Sequence, residues 1–156
     1  MTKNPSAVQI STPAPHKTYT LPTVGSVVLA RFPNEEDPVP GKTASLPKLR
    51  PSIVVGVDRE GGNVTVIYGT TQRVTPEELR STEFAVYDSD MDYAPTGLSR
   101  TTKFNTAREV TLPYTSEFFG IPAPRYGKPL PKDPRLGILP MSYVGALTKA
   151  AKNVQK

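Results

Sequence analysis

An arginine and a polar triplet stand at the ends of two neighbouring apolar segments. Arg50 comes just before the β-branched run 52–58, and the triplet Thr70, Thr71 and Gln72 directly follows the next such run, 63–69. A guanidinium offers a planar fork of N–H donors that fits a phosphate group, and a threonine hydroxyl adds a further donor. These residue types predict a site that binds an oxyanion, provided that the two segments lie side by side.

The two segments are predicted to form a β-hairpin. Ser52 through Asp58 is apolar on both faces, as in a buried strand, and a turn with two glycines separates it from the strand that begins at Asn63. In an antiparallel pair, the start of one strand lies beside the end of the next. The hairpin therefore predicts that Arg50 and Thr70 meet at the same edge of a sheet.

A structural role for the same residues is the alternative. Arg50 would then form an ion pair with a surface carboxylate such as Glu60, and the threonines would only end a strand. Arginine occurs in structural ion pairs as well as in active sites. The spacing of the residues leaves both roles open.

The remaining pattern predicts more strands and one amphipathic helix at the C-terminal end. Met141, Val144, Leu147 and Val154 recur at helical spacing, with Pro140 near the start. The predicted strands lie at 25–33, 83–88, 98–105, 109–112 and 136–139, and the predicted helices at 75–81 and 141–154. Antiparallel strands with helices outside the alternation indicate a mostly β, α+β fold, such as a small barrel with helices.

Three segments are predicted to lie outside this regular structure. Residues 1–23 are rich in Pro, Ser and Thr, which predicts a flexible N-terminal arm ahead of one domain at 24–156. The loop 34–47 is longer than most connections and is predicted to be a mobile lid. Residues 121–135 hold five prolines and predict an extended connection, ordered by packing of Tyr126 onto the domain.

Composition excludes several kinds of chemistry. The chain has no cysteine, and its one histidine, His16, leaves neither a histidine triad nor a site with several histidine ligands. We therefore expect no metal and no cofactor. No run approaches the roughly 18 apolar residues of a membrane span, and no signal-peptide pattern is present, which predicts a cytoplasmic protein. The formal net charge of +5 favours encounter with a polyanion.

Four stretches resemble the MazF/PemK (Kid) toxin family of type II toxin–antitoxin systems. They are Gly25 through Pro33, Arg50-Pro51 with the strand that follows, Gly69 through Gln72, and Leu136 through Leu139 followed by a helix. The resemblance covers residues 24 to 152. It implies a small SH3-like barrel with a C-terminal helix, usually a homodimer with an acidic antitoxin partner. It also implies a metal-independent endoribonuclease that acts on single-stranded RNA.

The resemblance assigns roles to the residues at the hairpin edge. The family's arginine and threonine that match Arg50 and Thr71 serve at the cleavage site. There the 2′-hydroxyl of RNA attacks its neighbouring phosphate and leaves a 2′,3′-cyclic phosphate and a free 5′-hydroxyl. Arg50 would stabilise charge on the phosphoryl oxygens and protonate the leaving group, while Thr71 donates a hydrogen bond. The flanking residues predicted to bind the substrate are Thr70, Gln72, Arg73 and Lys48.

Other residues are weaker candidates. Basic side chains can line an RNA path and aromatic rings can stack on its bases, although both types are also common as solvated charges and core residues. The basic candidates are Arg31, Arg100, Lys103 and Arg108, and the aromatic ones are Tyr68 and Phe104. No general base is evident, and its candidates are Glu35, Glu36 and Asp37 in the loop 34–47.

The chain also departs from the family pattern. Gly25-Ser26 stands where the family commonly has Gly-Asp, and the segment 91–135 is bulkier than in compact toxins. These departures keep a second hypothesis open, since a fold does not fix a function. In it, the chain is a non-catalytic protein with a MazF/CcdB-like fold, encoded by a plasmid or phage, that binds and inhibits a host protein.

Overall fold

The computed structural model describes residues 16–32 and 48–154 and shows one curled antiparallel sheet with the form of a half barrel. Its strands are β1 (Ser26–Arg31), β2 (Leu49–Asp58), β3 (Asn63–Thr70), β4 (Glu83–Val86), β5 (Thr102–Pro113) and β6 (Arg135–Ile138). Their order across the sheet is β4-β5-β3-β2-β1-β6. The helices are α1 (Val144–Val154) and 3-10 turns at Pro76–Glu78, Ala94–Thr96 and Met141–Tyr143. The predicted fold class is confirmed.

The central strands are apolar on both faces because both faces of the sheet are covered. Alternate residues of a strand point to opposite faces, so Val27 and Val28 enter different cores. The core around Val28 includes Tyr19, Val54, Val66, Leu112, Tyr114 and Phe119. The core around Val27 includes Ile53, Ile67, Phe84, Phe104, Tyr143 and Ala150, and thus the buried side of α1. Packing of a core on each face holds the strands in a fixed register.

The predicted hairpin of β2 and β3 is confirmed, with a longer first strand. Asp58 pairs with Asn63 around a turn in which Gly62 adopts a φ of +72°, a conformation that favours glycine. β2 begins at Leu49, not after Pro51, because Arg50 pairs with Ala30 and Leu49 with Arg31 of β1. Arg50 is therefore fixed within the sheet.

Residues 102–105 and 109–112 of the two predicted strands belong to the single strand β5, whereas residues 98–101 are not in a strand. Ile67 pairs with Glu109 but Gly69 pairs with Phe104, so one residue of β3, Tyr68, lies opposite the four residues 105–108. This wide bulge breaks the alternation of side chains that a sequence pattern detects. It also brings Arg108 over Tyr68.

Residues that precede β1 pack on the sheet. Tyr19 is 8% exposed, and its backbone N–H donates to the carbonyl of Tyr114 at 3.1 Å. Of the predicted arm 1–23, residues 1–15 lie outside the described residues, as does the predicted lid 34–47. The contacts of Tyr19 make it part of the packed domain.

The C-terminal helix lies against β4 and β5. α1 begins at Val144, three residues after the predicted start, because the chain first forms a 3-10 turn that follows Pro140. Ala150 is buried, and the side-chain amide of Asn153 donates to the carbonyl of Ser81 at 2.7 Å. In the described ranges no helix has the length and apolar character needed to cross a membrane.

Buried tyrosine hydroxyls predict loss of stability in alkali. Tyr114 is 1% exposed, its hydroxyl has no hydrogen-bond partner among the described residues, and burial raises its pKa above the ordinary 10.0. The unfolded chain loses this proton at lower pH than the folded chain, so the folded state is destabilised as pH rises above 10.0. One such proton corresponds to about 1.4 kcal/mol per pH unit.

We expect Tyr114→Phe to reduce the pH dependence of the free energy of unfolding above about pH 10 by the contribution of about one proton. At neutral pH the free energy of unfolding should change by less than about 1 kcal/mol, because the substitution removes a hydroxyl that makes no hydrogen bond. Urea unfolding at a series of pH values between about 8 and about 11 measures both effects. An unchanged pH dependence would show that Tyr114 ionises alike in the folded and unfolded chain.

Candidate active site

Two arginines flank one half-buried aromatic ring on the face of the sheet that carries the Val28 core. The Cζ atoms of Arg50 and Arg108 lie 5.3 Å and 4.9 Å from the ring centroid of Tyr68. The ring of Phe32, which follows β1, packs edge-on against Tyr68 at 4.9 Å. Cation–π attraction favours this arrangement. We call these four residues the Tyr68 cluster, and they place two permanent positive charges beside one ring.

Strand register explains why Arg50 belongs to this cluster. Ser52 pairs with Tyr68, so continuing the antiparallel pairing by two residues sets Arg50 opposite Thr70. Residues two apart on a strand face the same side, which puts Arg50 on the face of Ser52 and Thr70 on the face of Tyr68. The structure therefore brings Arg50 and Thr70 to the same edge, as the hairpin predicts.

Gly69 allows the two strands to approach closely at this edge. A Cβ atom on Gly69 would lie 2.6 Å from the carbonyl oxygen of Pro51 and 2.6 Å from the ring of Phe104. Both distances are far below van der Waals contact, so a larger residue would push β2 away from β3. Gly69 thus fixes the backbone of Arg50 relative to that of Thr70.

The polar triplet leaves the sheet in a tight turn. The backbone N–H of Gln72 donates to the hydroxyl of Thr70 at 3.1 Å, while Thr71 is exposed. Arg73 follows with a φ of +53°, which is uncommon for a residue with a side chain and costs about 1 kcal/mol or more. The hydroxyl of Thr70 is engaged within the turn, and Thr71 presents its side chain to solvent.

A cleft of about 290 Å³ opens beside the Tyr68 cluster. Tyr68 and Arg108 line it together with three predicted site residues, Thr70, Gln72 and Arg73. Arg50 packs against Tyr68 but does not line the cleft, and neither do the exposed residues Thr71 and Lys48. The predicted residues thus gather at one edge of the sheet, and the roles assigned to them stay predictions.

The structure changes the expectation for two of the weaker candidates. Phe104 is 0% exposed and stacks on Phe84 with ring centroids 5.7 Å apart, so its prediction as a stacking platform is wrong. Lys103 lies at the floor of the cleft, where its Nζ is 3.1 Å from a carboxylate oxygen of Glu83. Both side chains of this pair are under 10% exposed, so Lys103 is engaged in a buried ion pair.

Arg50 does not form the ion pair with Glu60 that the structural alternative proposed. Glu60 lies in the turn at the other end of β2. Eight residues of strand separate Arg50 from the start of that turn, which corresponds to about 26 Å. An ion pair between Arg50 and Glu60 is excluded by this distance.

Ser26, the departure from the family pattern, lies away from the cluster. It is 1% exposed at the start of β1, four residues before Ala30, the partner of Arg50. Four strand residues span about 13 Å. Ser26 thus lies at the other end of β1 from the residue that pairs with Arg50.

Glu78 is an acidic group at the cleft wall. The hydroxyl of Thr75 donates to its carboxylate at 2.7 Å and lowers the pKa of Glu78 below the ordinary value. A lowered pKa makes this carboxylate a weak proton acceptor. The predicted base candidates Glu35, Glu36 and Asp37 lie outside the described residues. Within residues 16–32 and 48–154, no group of three or more His, Asp or Glu side chains is arranged to hold a metal ion.

Sequence reasoning gave no preference to Arg108. Arg108 was one of several basic candidates. A bulge opposite Tyr68 has no periodic pattern in the sequence, so nothing singled out Arg108. The interrupted alternation at 105–108 is the one local sign of the bulge. Arg108 is the residue that the structure adds to the candidate site.

Comparison with solved structures supports the fold. A structure of an endoribonuclease in complex with its cognate antitoxin, from a mycobacterial species, superposes with a TM-score of 0.50 and 17% sequence identity. The match covers 86% of this chain and 95% of the other. No family model and no curated protein matches the sequence. At this identity the similarity shows a shared fold, so membership of the MazF/PemK family stays a prediction.

Proposed function

We propose that this protein is a toxin-like, metal-independent endoribonuclease that cleaves single-stranded RNA. The observation that carries the proposal is the pair of arginines around Tyr68, at the sheet edge where the exposed Thr71 follows Thr70. Arginine binds phosphate through paired N–H donors, so two guanidinium groups held beside one ring can contact the backbone of one RNA strand. The fold shared with an endoribonuclease supports the same function.

The proposed reaction is an internal transfer of the phosphoryl group. The 2′-oxygen bonds to the adjacent phosphorus as its proton passes to solvent water, and the bond from phosphorus to the 5′-oxygen breaks. Arg50 stabilises the charge that gathers on the phosphoryl oxygens and supplies a proton to the departing 5′-oxygen. Thr71 donates a hydrogen bond to the phosphate. The products are a 2′,3′-cyclic phosphate and a 5′-hydroxyl.

The surrounding side chains position the strand. Gln72 and Arg73, which follow Thr71, and Lys48, which precedes β2, are exposed and hold the RNA on either side of the cleaved phosphate. Arg108, the second guanidinium beside the Tyr68 ring, binds a neighbouring phosphate. Binding through these cations should weaken with salt, as expected for contacts to phosphates.

The proposal includes two protein partners. The structurally similar endoribonuclease is in complex with its cognate antitoxin. We propose an acidic antitoxin for this chain as well, since its formal net charge of +5 favours a partner of opposite charge. The active form is proposed to be a homodimer in the cytoplasm.

Incubation of the purified full chain with RNA in EDTA tests the function. We expect cleavage without added metal, and fragments whose 5′ ends accept phosphate from a polynucleotide kinase without prior dephosphorylation. Their 3′ ends should carry a cyclic phosphate that acid opens. An RNA methylated at every 2′-oxygen is the matched control, and it should stay intact because the attacking hydroxyl is blocked.

The second hypothesis predicts a different result. In this hypothesis RNA stays intact both in EDTA and in buffer with added metal ions, and the chain stably captures one host protein. That result would support a non-catalytic inhibitor and contradict the endoribonuclease.

A further inference from the structure

The proline-rich segment 121–134 begins and ends on β1, the strand that pairs with β2. Gly120, just before it, donates its N–H to the carbonyl of Leu29 at 3.2 Å, and the N–H of Leu29 donates to the carbonyl of Pro134 at 3.0 Å. Leu29 pairs with Pro51, the neighbour of Arg50. Both ends of the segment are thus held on one residue of β1, one strand away from Arg50.

A turn presents an aromatic ring at the tip of this segment. The N–H of Lys128 donates to the carbonyl of Arg125 at 3.2 Å, and Gly127 provides the positive φ of +77° that the turn requires. Tyr126 lies between them and is fully exposed, with a relative accessibility of 106%. The expectation that Tyr126 packs onto the domain is wrong, because the turn directs its ring away from every core.

The two basic residues of the turn line a second cleft. It has a volume of about 430 Å³ between the turn, Gly97 and the start of β6. A guanidinium N–H of Arg125 donates to the carbonyl of Gly97, which holds this cation in place. Arg135 is paired with Asp133 at 3.2 Å, but no carboxylate in the described part of the chain pairs with Arg125 or Lys128. Their charges remain available to an anionic ligand.

We propose that the turn Arg125–Lys128 is a second contact for single-stranded RNA, on the opposite face of the sheet from the Tyr68 cluster, so that only a long strand can reach both. Tyr126 stacks against a base, while Arg125 and Lys128 bind backbone phosphates over the second cleft. An exposed ring between unpaired cations is the arrangement that suits a flexible strand of any sequence. This inference rests on the proposed function, because it requires RNA as the ligand.

The affinities of the Tyr126→Ala variant for a short and a long RNA test the inference. The probe is fluorescein-labelled RNA of mixed sequence, methylated at its 2′-oxygens to prevent cleavage, at lengths of about 6 and about 14 nucleotides. Fluorescence anisotropy of the full chain should show a Kd for the long RNA raised about tenfold, the effect of one lost stack. The Kd for the short RNA should be unchanged, since it can be held at the Tyr68 cluster alone.

Two variants serve as controls, and a third tests the role of Lys128. Tyr126→Phe keeps the ring and should bind the long RNA like the unmodified chain. Met91→Ala removes another fully exposed side chain and should change neither Kd. Lys128→Gln should lower the slope of log affinity against log salt by about one for the long RNA.

The outcomes separate this inference from the proposed function. Tight binding of both RNAs with no effect of Tyr126→Ala would overturn the inference and leave the function standing. No RNA binding by the unmodified chain would overturn both. If Tyr126→Ala loses an acidic partner protein but keeps its affinity for the long RNA, the turn is a protein-docking site and the inference is wrong.

Discussion

Replacing Arg50 with alanine is expected to reduce the rate of RNA cleavage about 1,000-fold, as for loss of one donor that stabilises transition-state charge. Strand register sets Arg50 opposite Thr70, the residue before the exposed Thr71. The expected loss lies in kcat because the main contact of Arg50 forms as charge develops on the phosphate. Single-turnover cleavage in EDTA measures the effect. Arg50→Lys should recover little activity, since an ammonium group lacks the planar fork of a guanidinium.

The matched control for this prediction is Arg59→Ala. Arg59 is another arginine of the hairpin, but it is exposed in the turn at the other end of β2. Its loss should leave the cleavage rate unchanged. Arg108→Ala should have an intermediate effect that appears mainly in KM and its salt dependence, because Arg108 is proposed to bind a neighbouring phosphate. Wild-type cleavage by Arg50→Ala would remove Arg50 from the mechanism.

Lys103→Met should destabilise the fold by about 3–5 kcal/mol, the usual cost of leaving a buried charge without its partner. The Nζ of Lys103 lies 3.1 Å from Glu83, and the side chains are only 9% and 7% exposed. The same Glu83 oxygen also accepts the backbone N–H of Arg80 at 2.8 Å. A loss of this size is a large part of the total stability of a small domain. Urea unfolding at neutral pH gives the value.

A double-mutant cycle separates the ion pair from simple loss of packing. Glu83→Gln keeps an oxygen that can accept the Arg80 N–H but removes the charge. The double variant with Lys103→Met should cost less than the sum of the two single changes, because no buried charge is left unpaired. Purely additive costs would show that the two side chains do not interact, and the buried pair would then not explain the stability of this edge.

Sequence patterns predicted the parts of the fold that depend on local order. Alternating and continuous apolar runs around the Gly61-Gly62 turn indicated the β2–β3 hairpin, and apolar residues at helical spacing indicated α1. Pairing in a hairpin follows directly from the position of its turn. For this reason the convergence of Arg50 and Thr70 on one edge is predictable from the amino-acid sequence alone.

The sequence could not predict features that arise from non-local pairing. β5 merges two predicted strands because β3 supplies its hydrogen bonds, and the bulge at 105–108 brings Arg108 to Tyr68. The burial of Lys103 depends on Glu83 of β4, twenty residues earlier in the chain. A side chain's exposure is set by its neighbours in space and not by its own type, as Phe104 and Tyr126 show.

The amino-acid sequence by itself determined the chemical groups available to this protein. The absence of cysteine and the single histidine leave arginine, lysine, threonine, serine, tyrosine, aspartate and glutamate as its candidate chemical groups. Only the tertiary structure decided which of these groups meet. It joined Arg50, Tyr68 and Arg108 from three strands, paired Lys103 with Glu83, and left Tyr126 in solvent. Sheet register and the bulge in β5 are the physical reason, because both depend on pairing between strands distant in sequence.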